Sequence, residues 1–208
     1  MATATSPDVS ERGGRCADRS MRTALTLVCH ASTEATTDTR FPTDEPLDER
    51  GAALAAAAAG VLARIDEVWC GPARRCVETA TAMGRNAVVE PALRECDFNR
   101  WRGRALADVQ ADEPGALTRW LTDPAAAPHG GESIADLLAR VGRWLDARCS
   151  GPVRAAAVTH PSVIRAAIIH AIHARPESFW RIDVPPLSCT VLRGHEGSWT
   201  LRSTGGAP

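Results

Sequence analysis

The chain has 208 residues, 24 of them basic and 25 acidic, and a formal net charge of -1. This length suits one domain with a substantial core, and the near-neutral charge gives no reason to expect nucleic acid or an anionic membrane as the main partner. No apolar run approaches the roughly 18–20 residues that a membrane helix needs. The seven cysteines are an odd number without paired short spacings, which predicts reduced thiols in a cytoplasmic protein rather than a disulfide framework.

Residues 1–20 are polar and lack the apolar stretch of a signal peptide. We therefore expect a disordered tail over 1–20 and a single domain over 21–208, with Met21 as an alternative start. All of the basic residues are arginine. A single arginine is therefore weaker evidence for phosphate binding here than in an average protein.

Segments with strand character alternate along the chain with segments of helical periodicity. The predicted strands are Ala24–Val28, Val68–Cys70, Ala87–Val89, Ala155–Thr159, Ser188–Arg193 and Trp199–Ser203. The predicted helices cover about 48–64, 74–84, 104–111, 114–121, 133–148 and 161–173. This alternation predicts a three-layer α/β/α sandwich with a mainly parallel sheet. The last two strands are expected to form an antiparallel hairpin.

Polar clusters follow several of the predicted strands. His30 follows the first strand, and a second histidine, His160, follows the fourth. Arg75 begins a helix after the second strand, and Glu95 lies in a loop with aromatic neighbours. Open α/β sheets place their chemistry where strand ends meet loops. Two histidines, an arginine at a helix start and a carboxylate suit phosphoryl transfer, because the transferred group carries negative charge that cationic donors stabilise.

Five segments in chain order resemble the motifs of the histidine phosphatase superfamily, the phosphoglycerate mutase-like fold, in its short alpha-ribazole phosphatase-type branch. Cys29–Thr33 corresponds to the family's Arg-His-Gly-x-Thr/Ser motif, and Cys70–Ala80 corresponds to Ser-x-Pro-x-x-Arg-Ala-x-x-Thr-Ala. Leu93–Gly103 corresponds to Leu-x-Glu-x-Asp-Phe-Gly-x-Trp-x-Gly. Gly130–Ser133 corresponds to Gly-Gly-Glu-Ser, and His160–Arg165 corresponds to His-Gly-Gly-Val-Ile-Arg. The resemblance covers about residues 22–203.

The resemblance implies a phosphomonoester hydrolase that acts on a small phosphorylated molecule without a metal or organic cofactor, as a monomer or homodimer. His30 would be the nucleophile that becomes phosphohistidine. Arg75 and His160 would bind the phosphoryl oxygens, and Glu95 would be the proton donor. A hydrolase is favoured over a mutase because the segment between Glu95 and His160 is short for an element that encloses the intermediate.

Further substrate contacts are expected around this centre. Ser32 belongs to the first motif, and Thr36 stands where many members place an asparagine that touches phosphate. His129 precedes the Gly-Gly-Glu-Ser element in a loop. Arg74 and Arg102 are expected to reach inward.

Cys29 stands where the family has its first arginine, and a cysteine offers neither a permanent charge nor a bidentate donor. Its side chain is expected to line the substrate site with a weakened hold on phosphate. One alternative is therefore an impaired member that binds a phosphorylated ligand or partner without turning it over. A second is a zinc-binding regulatory domain with Cys29, Cys70, His30 and His160 as ligands. Arg165 is expected to be a structural ion-pair partner.

Overall fold

A computed structural model describes residues 23–149 and 154–206. The tail expected over 1–20 lies outside the described residues. The sheet has six strands in the order β3-β2-β4-β1-β5-β6. In chain order these are Thr23–Cys29, Glu67–Cys70, Val88–Val89, Arg154–Thr159, Cys189–His195 and Ser198–Gly206. β1 to β4 pair in parallel, and β5 and β6 form the antiparallel hairpin that the sequence predicts.

The helices α1 to α7 are Glu34–Thr37, Glu49–Ala57, Arg74–Ala82, Leu106–Asp112, Pro114–Thr122, Ile134–Asp146 and Pro161–Ile172. Short 3-10 turns cover Ala59–Leu62, Pro91–Leu93, Asn99–Trp101 and Pro176–Arg181. The predicted helix over 48–64 is shorter than expected: it ends at Ala57, and a 3-10 turn containing Gly60 follows it. Ser133 caps α6 at the start predicted for that helix, since its hydroxyl accepts a hydrogen bond from the Asp136 backbone N–H.

Alternation along β1 divides the core between the two faces of the sheet. Leu25 and Leu27 belong to the apolar cluster that includes the buried residues of α6 and α7. Val28 belongs to a second cluster with residues of α2 and α3. Helices therefore cover both faces, and the fold is the predicted α/β sandwich. Within the described part of the chain, no helix has the length and apolar character needed to cross a bilayer.

The register of the central strands brings the polar clusters to one edge. Cys29 at the end of β1 is level with Thr159 at the end of β4, and Cys70 of β2 is level with Val158. The residues that follow these three strands therefore begin at the same height. This alignment places His30, the loop before α3 and His160 beside one another.

Candidate active site

His30 follows β1 and is held by both its backbone and its ring. Its backbone N–H donates to the Thr159 carbonyl at 2.8 Å. Its Nδ1 lies 2.8 Å from the Ala31 carbonyl, which can only accept, so the ring proton belongs on Nδ1. This leaves an unprotonated Nε2. Burial, and secondly the Arg75 cation, lower the pKa of His30 from 6.5 to about 4, so the ring is neutral near pH 7.

Arg75 lies in the first turn of α3, and its buried guanidinium joins the two histidines. Its Nε donates to His30 Nε2 at 3.2 Å, and its Nη2 lies 3.2 Å from His160 Nδ1. Thr79, one turn later, accepts from the Ala31 N–H and donates to the Arg75 carbonyl. The threonine therefore fastens the loop after His30 to the helix that carries the guanidinium.

His160 is the N-cap residue of α7 and is fully buried. Burial and the nearby Arg75 lower its pKa well below 6.5, so it is also neutral. The Cys76 sulfur lies 3.4 Å from its Nε2. Gly71 must be a glycine beside this ring, because a Cβ there would lie 2.7 Å from the Leu93 carbonyl oxygen and 3.2 Å from His160 Nε2.

Glu95 reaches the same centre from the loop after Leu93. Its Oε2 lies 3.4 Å from His160 Nδ1 and 3.7 Å from Arg75 Nη2. Its Oε1 accepts hydrogen bonds from the Ser162 hydroxyl and the Cys96 N–H. The carboxylate is thus positioned from two sides while its second oxygen faces the histidine and the guanidinium.

The structure therefore brings together the four residues expected to act on phosphate. It also adds a second carboxylate, Glu45, whose Oε1 lies 3.6 Å from Arg75 Nη1. The backbone and hydroxyl groups of Thr43 donate to the other oxygen of Glu45. Sequence reasoning missed Glu45 because it matches none of the five motifs. It missed the contact of Ser162 because that position is a glycine in the motif.

Cys29 lies beneath the cleft that opens over this centre, and its side chain is fully buried. Burial is the main cause that raises the pKa of its thiol, so the group is neutral. Cys29 therefore supplies no charge to the site. The arginine Arg165 lies within electrostatic range of it.

The remaining predicted contacts divide into two groups. Ser32 and Thr36 line the cleft, although each hydroxyl already donates to a protein oxygen, that of Asp48 and the Thr33 carbonyl respectively. Arg74, Arg102 and His129 do not line it.

These three residues have other partners. Arg74 is exposed and pairs with Glu78 four residues later, and Arg102 is exposed and pairs with Asp97. His129 is fully buried, packs edge-on against Trp101, and accepts from the Gly131 N–H. The structure therefore does not bring them to the site that the sequence assigned them to.

Arg165 differs from its expectation as a structural ion-pair partner. Among the described residues its Nε donates to the Ile182 carbonyl at 2.8 Å, and no carboxylate lies within ion-pair distance. Its guanidinium stacks on Phe179 and Trp180 and lines the cleft. One face of α7 thus supplies Ser162 and Arg165 to the cleft.

The proposed zinc ligands do not converge. In the described ranges, the residues whose ligand atoms come within 4.8 Å of one another are His30, Glu95 and His160. Cys29 and Cys70 are not among them, and burial raises the pKa of both thiols. Arg75 also donates to both histidines, so a zinc ion bound to their ring nitrogens would have to displace the guanidinium.

Comparison with known proteins identifies the family. Residues 25–205 match the histidine phosphatase superfamily, branch 1. The chain belongs to this superfamily. The match includes all four residues that converge on the centre, and it confirms the resemblance stated from the motifs.

Mycobacterial members are among its relatives. A bifunctional protein of Mycobacterium tuberculosis is 32% identical over 196 residues, which are 88% of this chain and 54% of that protein. A glucosyl-3-phosphoglycerate phosphatase of Mycobacterium tuberculosis is 35% identical over 124 residues, 56% of each chain. The chain spans about half the length of the curated relatives it matches.

Solved structures share the fold over nearly the whole chain. The native mycobacterial glucosyl-3-phosphoglycerate phosphatase superposes with a TM-score of 0.79 at 27% identity, covering 89% of this chain and 100% of that one. The alpha-ribazole phosphatase from Shigella flexneri superposes with a TM-score of 0.76 at 23% identity, over 88% of this chain and 96% of that one. The second likeness concerns the fold alone.

Proposed function

We propose that the protein hydrolyses small phosphate monoesters through a phosphohistidine intermediate on His30. The observation that carries the proposal is the Arg75 guanidinium, which contacts the unprotonated Nε2 of His30 and the Nδ1 of His160 at 3.2 Å each. A phosphoryl group placed at this point meets a nucleophilic lone pair and a cation together. Membership of the superfamily supports the same reaction.

In the first step, His30 Nε2 attacks phosphorus in line and forms an N–P bond. The bond between phosphorus and the ester oxygen breaks, and protonated Glu95 gives its proton to that oxygen, so the alcohol leaves neutral. Arg75 donates to the equatorial oxygens as their charge develops. The Nδ1–H bond to the Ala31 carbonyl keeps the ring aligned during the attack.

In the second step, the ionised Glu95 accepts a proton from water. The oxygen of that water attacks phosphorus, the N–P bond breaks, and the electron pair returns to His30 Nε2. Phosphate leaves, and Glu95 is again protonated. The cleft has an accessible volume of about 1050 Å³ and remains open above the centre, which lets water reach the intermediate.

The test is hydrolysis of a generic aryl phosphate by the wild type and by His30→Gln. The wild type should release phosphate, and His30→Gln should release none above the uncatalysed rate while binding vanadate or phosphate weakly. Equal turnover by both proteins would refute the phosphohistidine mechanism. The comparison uses glutamine because its amide is close to imidazole in size.

A second candidate function is binding of a phosphorylated ligand without turnover. The observation that favours it is the neutral, buried Cys29, since among the described residues Arg75 is the cation in contact with the two carboxyl side chains of the centre, Glu45 and Glu95, and Cys29 adds no second one. Binding of inorganic phosphate by a wild type that fails to hydrolyse aryl phosphate would establish this alternative. Turnover that depends on His30 would exclude it.

A further inference from the structure

The cleft above His30 is apolar over most of its wall. Aromatic and aliphatic side chains from the loop after α1, from α4 and α5, and from the 3-10 turn Pro176–Arg181 line it, among them Phe41, Leu106, Trp120, Leu121, Phe179 and Trp180. Trp120 and Trp180 meet edge to face with their ring centroids 4.5 Å apart. Leu106 and Leu121 keep 37% and 44% of their surface exposed at the rim.

Most polar side chains of the wall already have partners within the protein. The Ser32 and Thr36 hydroxyls donate to Asp48 and the Thr33 carbonyl, and Arg40 pairs with Asp38 and the Gly103 carbonyl. A sugar that enters the cleft would lose water from its hydroxyl groups and find few donors or acceptors to replace it. An apolar group would lose nothing and would cover the exposed leucines.

Arg165 adds a planar cation to this wall. Its guanidinium lies 5.7 Å from the ring centroids of both Phe179 and Trp180, and it is within electrostatic range of Glu95. Only its Nε has a hydrogen-bond partner among the described residues. An aromatic ring attached to the ester oxygen would therefore meet an aromatic wall and a stacking guanidinium just beyond the proton donor.

We infer that the preferred substrates are phosphomonoesters of aromatic alcohols, whose ring occupies the wall formed by Trp120, Trp180 and the rim leucines. For the phosphoryl group of the substrate this inference rests on the proposed function. For the alcohol part of the substrate it rests on the cleft wall alone. It separates this chain from a sugar-ester phosphatase, since a glycosyl group would find few polar side chains without a partner in the described part of the cleft wall.

The experiment compares 1-naphthyl phosphate with glucose 6-phosphate, two monoesters that share the phosphoryl group. Binding is measured by calorimetry on the inactive His30→Gln variant, and kcat/KM is measured on the wild type. We expect 1-naphthyl phosphate to bind at least about tenfold more tightly, the effect of a buried aromatic ring against a polar one. The kcat/KM ratio of the wild type also contains the better leaving group of the aryl ester, so the change of that ratio in the wall variants reports the contribution of the wall.

Matched variants locate the preference. Leu106→Ser combined with Leu121→Ser changes two exposed rim residues at little cost to folding, and we expect it to reduce the preference about threefold or more. Leu54→Ser is the control, because Leu54 is similarly exposed, at 48%, on α2 away from the cleft. Trp180→Ala should reduce the preference further.

The outcomes separate the two proposals. Hydrolysis of both esters with equal kcat/KM, or a preference for glucose 6-phosphate, overturns the aromatic preference and leaves the phosphatase function standing. Selective binding of 1-naphthyl phosphate without hydrolysis of either ester overturns the phosphatase function and supports the aromatic site. A preference that the Leu54 control changes as much as the rim variant does would also overturn the assignment of the wall.

Discussion

Replacing Arg75 by methionine removes the group on which phosphoryl binding and the charge state of His30 both depend. Methionine keeps an unbranched apolar stem close to that of arginine and carries no donor. The guanidinium contacts His30 Nε2 and His160 Nδ1 at 3.2 Å each and faces Glu45 and Glu95 at 3.6 and 3.7 Å. Loss of one preorganised donor to developing charge costs about 2.7–4 kcal/mol, so we expect kcat to fall by about 10²–10³.

Arg75→Met should also move the acid limb of the pH profile of kcat/KM to higher pH. Burial is the larger cause that lowers the pKa of His30 to about 4, and the Arg75 cation is the second. Without the cation, the pKa of His30 seen in kcat/KM should rise but stay below 6.5, because burial remains. The neighbouring Arg74→Met is the matched control, since Arg74 is exposed and paired with Glu78, and it should change neither quantity.

The assay is the release of phosphate from an aryl phosphate between pH 3.5 and pH 8 by the wild type and both variants. Thermal unfolding at pH 7 checks that Arg75→Met is folded. The reasoning would be refuted if folded Arg75→Met kept kcat within threefold of the wild type. It would also be refuted if the acid limb moved down, since removing a cation beside a histidine must make protonation easier.

Three further outcomes follow from the site. The pKa of His30 is lower in the folded protein than its usual 6.5, so the unfolded chain binds a proton that the folded chain does not. The free energy of unfolding should therefore fall by up to about 3 kcal/mol as the pH drops from 6.5 to about 4. Chemical denaturation over this pH range should show a smaller loss in His30→Gln. Cys29→Arg should raise kcat/KM at least about tenfold by restoring a charged donor, with Cys29→Ala as the neutral control, and an unchanged rate would show that a cation here is not what limits the site. Glu95→Gln should slow esters of poorly acidic alcohols more than nitrophenyl phosphate, and an equal loss for both would exclude proton donation by this residue.

The fold could be predicted from the sequence because its signals are local. β1 and α6 lie where the sequence predicts them, because the apolar alternation of the strand and the Ser133 cap of the helix depend on neighbouring residues. The helix after Asp48 was predicted too long because alanine favours helix up to Leu62, whereas Gly60 and the packing of Leu62 turn the chain into a 3-10 segment.

The convergence of His30, Arg75, Glu95 and His160 could be predicted from the motifs, since each motif lies in the segment that follows a strand of the parallel sheet. The contacts between distant segments could not. Glu45 reaches Arg75 because Thr43 turns its loop inward, and no spacing in the sequence reports this.

His129 and Arg165 show the same limit on predicting contacts between distant segments from the sequence. A loop histidine and a helical arginine have ordinary local signals, so the sequence predicts a substrate contact for His129 and a structural ion pair for Arg165. Tertiary packing determines both positions. The aromatic cluster around Trp101 buries His129, and the guanidinium of Arg165 lies over the ring of Phe179 in the last 3-10 turn.

The most direct test of the central claim is to trap the phosphorylated enzyme. The protein is mixed with an aryl phosphate at pH 5, quenched in base, where phosphohistidine survives, and examined by intact mass and peptide mapping. The account predicts one added phosphoryl group on His30, absent from His30→Gln and retained in Glu95→Gln when an aryl ester with an acidic alcohol is used. Turnover of the ester with no phosphoryl group on His30 at any time point would contradict it.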